Sequence, residues 1–144
     1  MSSAASLPHD AARQHVSGSA RYVDDIPTPQ GTLHLAFGLS SCAAGQIKSV
    51  DLGAVRACPG VHLVLEAKDL PHANDVSPSA HDEPLLADGQ VHYAGQPIFL
   101  VVAESHHLAR RAARLAMIEI KAEPAILTIE QALAAESRFE DGPR

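Results

Sequence analysis

Aromatic residues are scarce in this sequence. Two Tyr, three Phe and no Trp make up 3% of its 144 residues. Any core must therefore be built from Ala, Val, Leu and Ile, and a hydrophobic content of 46% supplies enough of them. A chain of this length favours one domain that buries roughly two-thirds of its unfolded surface.

Basic charge is also in short supply, because 17 Asp and Glu outnumber 11 Lys and Arg and leave a net charge of −6. This balance argues against nucleic acid and anionic membranes as partners, since both attract basic surfaces. No apolar run is long enough to cross a membrane. The N-terminus lacks the basic region and apolar core of a signal peptide. We therefore expect a cytoplasmic protein.

Cysteine and nucleotide-binding motifs are equally sparse. Cys42 and Cys58 are the only cysteines, form no CxxC pair, and are predicted to be buried free thiols. A [2Fe–2S] cluster needs four thiolates, so these two cannot hold one. Neither a GxGxxG turn, a phosphate-binding loop nor a GxSxG elbow is present. The residues alone predict no catalytic, cofactor-binding or metal site.

The most apolar run, Ile98–Ala103, predicts the centre of the fold. Six consecutive apolar residues, half of them β-branched, are typical of a strand that is buried on both faces. Ser105 is placed to cap a helix from His106 to about Met117. The alternating segment from Ile118 to Ala122 predicts another strand. The succession of strand, helix and strand indicates a βαβ unit in a mixed sheet, hence an α+β domain with helices packed on the sheet.

Other elements follow from shorter patterns. Leu33, Leu35, Phe37 and Leu39 share one face of a predicted strand. The pair Thr128 and Gln131 has capping-box spacing and predicts a last helix. The segment from His72 to Ala80 has no periodicity and is predicted to be a surface loop. Residues 1–17 are predicted to form a flexible arm.

Several polar groups could carry chemistry, and each also has a structural interpretation. His81-Asp82-Glu83 could help to bind a metal, but a charged corner held by hydrogen bonds or by a neighbouring domain explains it more simply. Asp24-Asp25 could act in acid–base chemistry, yet turns and inter-domain contacts account for such a pair. Gln96, in the turn Gly95-Gln96-Pro97, could orient a ligand, although a structural amide is the simpler role.

Segments along nearly the whole chain resemble one family. They are Gly18–Pro27, Leu33-His34, Pro59–Val61, Ala67–Pro71, His81–Ala87 and Gly95–Pro97. In order and spacing, the chain is similar to the N-terminal a/b hammerhead domain of the molybdenum-binding subunit of xanthine dehydrogenase, in the xanthine dehydrogenase and aldehyde oxidase family. The resemblance covers about residues 8–139. One position departs from it, because Ala44 stands where family members often have His.

The resemblance implies a structural rather than a catalytic role. The hammerhead domain would occupy residues 18–139, and residues 140–144 would be the cut end of a longer parent chain. In the family, molybdenum–molybdopterin is bound by domains C-terminal to the hammerhead domain, and [2Fe–2S] clusters and FAD by other domains or subunits. No family catalytic residue maps onto this chain. The implied partners are the molybdenum-binding domains of the parent and its iron–sulfur/FAD subunit.

Six polar residues are the candidates for contacts with those domains: Asp24, Asp25, Asn74, Asp82, Glu83 and Gln96. The implied reaction of the parent is hydroxylation of hypoxanthine and xanthine to urate, with electrons passed to NAD. Two alternatives stay open at this point. One is the same domain of a molybdenum aldehyde oxidase or N-heterocycle hydroxylase. The other is a stand-alone binding module that uses the loop of residues 72–86 for recognition.

Overall fold

A computed structural model describes residues 9–78 and 81–137 of the chain. The chain divides into two compact units, one up to Thr32 and one from Leu33 onward. The first unit contains helix α1, Ala12–Ser17, and a 3-10 turn, Val23–Asp25. No residue of α1 is buried. A short helix thus occupies part of the predicted arm, while the proposed boundaries at residues 17 and 139 stay predictions.

The second unit alternates short strands and helices. In chain order its elements are β1 His34–Leu39, β2 Gly45–Asp51, α2 Gly53–Arg56, β3 Val61–Glu66, a 3-10 turn Ala67–Asp69, β4 Gln90–Val91, β5 Pro97–Ala103, α3 His106–Ala113, β6 Met117–Ala122 and α4 Ile129–Ala134. The α+β class is confirmed. The strands form two three-stranded sheets, one ordered β1-β5-β3 and the other β4-β2-β6.

Every strand pairing in the described residues is antiparallel, so the predicted βαβ unit and mixed sheet are wrong. β5 is the central strand of its sheet, with β1 on one edge and β3 on the other. Because both edges of β5 are occupied, the strand that follows α3 has no place beside it. β6 pairs with β2 in the second sheet instead. The sequence pattern was that of a crossover, but the two strands belong to different sheets.

The core lies between the first sheet, the inner face of α3, and apolar side chains of the second sheet and α2. Phe99 and Val101 of β5 are fully buried and face Ala109 and Ala112 of α3, which are also fully buried. The small side chains of α3 let it approach the sheet closely. At the β1 edge, a Cβ on Gly38 would lie 1.9 Å from the Phe99 ring, so only glycine fits there.

Both predicted helix caps of the second unit are confirmed. The Ser105 hydroxyl accepts a hydrogen bond from the Leu108 amide at 3.2 Å, which fixes the start of α3. Thr128 and Gln131 exchange side-chain and backbone hydrogen bonds, the reciprocal arrangement that the capping-box spacing predicts. α3 ends at Ala113, four residues earlier than predicted.

Candidate functional site

The outer face of the first sheet is open, and this corrects the prediction that β5 is buried on both sides. The strand register places six apolar side chains in two rows on this face. They are Leu35, Val102 and Leu63 in one row and Phe37, Leu100 and Leu65 in the other. We call these six residues the open face. Directly opposite residues of neighbouring strands point to the same side, so the six form one continuous apolar surface.

Exposure is high at the edges of the open face. Leu35 is 56% exposed, Leu63 49% and Phe37 43%. Leu100 and Val102, on the central strand, are half-buried. At one end of this side of β5, Ile98 is buried by other described residues of the chain. A contiguous apolar patch of this kind on a small domain indicates a surface that another protein element covers.

The loop of residues 72–86 is tied to the domain by Asn74. Its side-chain amide donates to the Leu86 carbonyl at 2.7 Å, and its carbonyl oxygen accepts from the Leu86 amide at 2.9 Å. The Val76 amide adds a backbone hydrogen bond to the carbonyl of Glu83 at 2.9 Å. Asn74 therefore holds both ends of the loop together within this chain.

A second clamp in the loop involves Asp75 and His81. The Asp75 carboxylate accepts from the Ser77 amide at 2.9 Å and contacts Nδ1 of His81. The Ser77 amide and then the His81 side chain lower the pKa of Asp75 to about 2. His81 has a backbone φ of 56°, a left-handed conformation in which His is enriched among non-glycine residues. That turn directs its imidazole towards Asp75.

An open cavity of about 410 Å³ lies beside this loop. Its lining consists of Val76, Asp82, Glu83, Pro84, His92, Tyr93 and Gln96. We call it the loop pocket. Three of the six predicted contact residues, Asp82, Glu83 and Gln96, thus come together around one depression. The two carboxylates are exposed, which suits contact with a polar or cationic neighbour.

Gln96 lines the loop pocket and is hydrogen-bonded to the backbone beside it. The residue is only 2% exposed, and its Oε1 accepts from the His92 amide at 2.7 Å. Its own backbone carbonyl accepts from the Ser40 amide at 2.9 Å. This is the structural amide that the sequence favoured over a ligand-orienting role.

Asp24 and Asp25 lie in the first unit. Oδ2 of Asp25 accepts from the Tyr22 amide at 2.9 Å and caps the 3-10 turn, while Asp24 is exposed. The unit also exposes Val16, Tyr22, Val23 and Ile26, each by more than half. A segment with this much exposed apolar surface is suited to docking on a larger body.

Metal ligands do not converge in the described residues. No group of three or more His, Cys, Asp and Glu side chains within residues 9–78 and 81–137 is placed to hold an ion. In the same ranges no helix has the length and apolar character needed to span a bilayer. Sequence reasoning missed the open face as a site. The sequence pattern that could have indicated the open face was the alternation from Leu33 to Leu39. This alternation identified a strand but did not show which of its faces would be buried.

These features define a small antiparallel α+β domain whose prominent surfaces are suited to docking. The sequence model for the aldehyde oxidase and xanthine dehydrogenase a/b hammerhead domain matches residues 17–124. The chain belongs to this family, and the predicted resemblance is confirmed.

Relatives are much longer than this chain. Xanthine dehydrogenase of Drosophila subobscura is 44% identical over 138 residues, which is 94% of this chain and 10% of that protein. Quinoline 2-oxidoreductase from Pseudomonas putida 86 has a similar structure, with a TM-score of 0.80, 31% identity, and 94% of this chain and 18% of that one covered. Aldehyde oxidoreductase from Desulfovibrio gigas is also similar, with a TM-score of 0.79 and 33% identity, and the match covers 94% of this chain and 16% of that one.

Proposed function

We propose that this chain is the N-terminal domain of the molybdenum-binding subunit of a xanthine dehydrogenase, and that its role there is structural. It packs against other domains of the parent protein and holds them in register. The parent hydroxylates hypoxanthine and xanthine to urate and passes the electrons to NAD. A cytoplasmic location and an iron–sulfur/FAD partner subunit belong to the same proposal.

The open face is the observation that carries the structural role. Two complete rows of apolar side chains lie on one side of the first sheet, and three of the six are about half-exposed. The chain spans about a tenth of the xanthine dehydrogenase that it matches, so most of such a protein lies outside it. We propose that part of that remainder covers the open face. The six polar contact residues stay predictions within this proposal.

The described residues do not fit the cofactors that the family implies. Cys42 and Cys58 are the only thiols, and Cys42 Sγ already contacts the Ala44 carbonyl at 2.9 Å. A [2Fe–2S] cluster needs twice that number of thiolates. The strand–helix junction of β5 and α3 reads Ala103-Glu104-Ser105 and lacks the glycines of a dinucleotide site. The [2Fe–2S] clusters and FAD are therefore proposed to bind elsewhere in the parent, and molybdenum–molybdopterin is proposed to bind in the domains C-terminal to this one, as the family resemblance implies.

The substrate assignment is supported by the 44% identity to xanthine dehydrogenase of Drosophila subobscura. The quinoline enzyme supports a second candidate, a parent that hydroxylates another N-heterocycle. Both candidates give this domain the same structural role.

Co-expression of the complete reading frame that contains this chain with that of the proposed iron–sulfur/FAD subunit tests the proposal. The purified protein should contain molybdenum and form urate from xanthine with NAD as acceptor. The 144-residue chain alone should contain no stoichiometric molybdenum by elemental analysis and should form no urate. One equivalent of molybdenum or turnover by the chain alone would overturn the structural role. Turnover of quinoline or an aldehyde but not of xanthine would replace the substrate assignment.

A further inference from the structure

A groove of about 450 Å³ runs beside the outer edge of β1. Its lining consists of Phe37, Gly38, Leu39, Ser41, Arg110, Ala113, Arg114, Ala116 and Ile118. We call it the β1–α3 groove. It combines three features: an unpaired strand edge, apolar side chains and two arginines.

The strand edge is the first feature. β1 pairs only with β5 in the described residues, so the amides and carbonyls on its other side have no ladder partner. β6, which contributes Ile118, is likewise an edge strand of the second sheet. Unpaired edges are templates for an added strand, and proteins normally blunt them with charge, proline or a covering element. β1, with the sequence His-Leu-Ala-Phe-Gly-Leu, carries no Lys, Glu or proline.

The arginines are the second feature. Arg110 and Arg114 are exposed, and no carboxylate of residues 9–78 and 81–137 lies within 4.0 Å of them. From Ser105 to Ile118 the sequence contains three Arg and no Asp or Glu, although the whole chain has a net charge of −6. This acidic chain thus has a cationic strip along the groove, and the strip has no carboxylate partner in the part of the chain that the structure describes.

The spacing of the two arginines matches an extended segment. Residues four apart on a helix are separated by about 6 Å along its axis. Alternate residues of a strand are separated by about 6.6 Å and point to the same side. Two acidic side chains at alternate positions of a strand beside β1 can therefore meet Arg110 and Arg114 together. Guanidinium groups bind carboxylates through paired hydrogen bonds, which favours carboxylate over other acceptors.

We propose that the β1–α3 groove binds an extended acidic segment from the remainder of the parent protein, which adds to β1 as a further strand. This inference rests on the proposed function. The 82% of the quinoline enzyme's chain that lies outside the matched part shows how much sequence is available to supply such a segment. Main-chain pairing with β1 provides the affinity, and the arginines select acidic side chains.

Hydrogen exchange in the full-length enzyme tests this pairing. Alternate amides of a strand point to each neighbour, so about three of the six amides of His34–Leu39 should exchange slowly in the enzyme and rapidly in the 144-residue chain. In the enzyme, R110E/R114E should release those amides. K48E/K121E makes the same change in net charge at two exposed lysines outside the groove lining, and it should leave those amides protected.

Three results would overturn the inference. One is equal exchange of residues 34–39 in the enzyme and in the isolated chain. Another is retained protection in R110E/R114E. A third is protection of the isolated chain that rises with its concentration, which would make a second copy the occupant. None of them affects urate formation or covering of the open face, so the proposed function would stand. A parent that neither forms urate nor covers the open face would instead remove the proposed function.

Discussion

Replacement of Leu35 and Leu63 by Thr measures whether the open face is covered in the parent enzyme. The two leucines flank Val102 in one row and are 56% and 49% exposed. Thr has the β-branched shape that strands favour, so the change preserves strand propensity while it removes apolar surface and adds a hydroxyl group. The prediction compares the same double variant in the isolated chain and in the full-length enzyme.

The magnitude follows from the exposures. Complete burial of a Leu side chain stabilises by about 1.5–3 kcal/mol. Each leucine has buried about half of its surface in this chain, and Thr retains part of that half. The pair should therefore lower the stability of the isolated chain by about 1–2 kcal/mol. If the parent covers the other half as well, the loss there doubles to about 2–4 kcal/mol.

Hydrogen exchange of β5, Pro97–Ala103, is the appropriate assay because it reports local opening in a large protein that does not unfold in two states. The extra loss of about 1–2 kcal/mol corresponds to roughly 5- to 30-fold faster exchange in the enzyme. Leu115→Thr is the matched control, since Leu115 is 45% exposed and lies outside the open face. An equal cost of L35T/L63T in both contexts would refute covering of the open face.

Three further outcomes are expected for the isolated chain. Val101→Asp places an unpaired carboxylate in the core and should cost about 3–5 kcal/mol of stability. Leu63→Asp, on the open face, should cost far less. Equal melting temperatures of these two variants would contradict the faces assigned to Val101 and Leu63. Gly38→Ala should cost about 1–3 kcal/mol, because the new methyl group meets the fully buried Phe99 ring, and a G38A/F99L double variant should recover part of it. Asp75 has a pKa lowered to about 2, so its contribution to stability is present above its ordinary pKa of 3.8 and is lost as the pH falls towards 2. Asp75→Asn should therefore be less stable than the unchanged chain at pH 6 by a margin that shrinks between pH 4 and pH 2, and a constant margin in thermal melts would be inconsistent with this.

Local features were predictable because their causes are local. Ser105 and the pair Thr128 and Gln131 begin helices where predicted, since a cap depends only on side chains within three residues of the helix start. The turn at Gly95 was predictable for the same reason, as its φ of 86° suits glycine. The run Ile98–Ala103 identified the central strand through its apolar density alone.

Helix length was less predictable. A helix to about Met117 was expected, yet α3 ends at Ala113 and Leu115, beyond its end, is exposed. The chain after α3 must reach β2 in the second sheet, and this requirement ends the helix early. Such a demand comes from strand pairing elsewhere in the chain and has no local signal.

The sequence by itself determined the α+β class, the central strand, the helix caps and the family, because composition, periodicity and ordered motifs act through near neighbours. Only the tertiary structure decided which sheet each strand joined and which apolar face stayed open. β6 could not pair with β5 because β1 and β3 already occupied both edges of β5. Leu35 and Phe37 stayed exposed because Ala36 and Gly38, on the other face of β1, allow α3 and Phe99 to approach. Close packing selected the face of β1 with the smaller side chains, and the larger apolar ones were left on the open face.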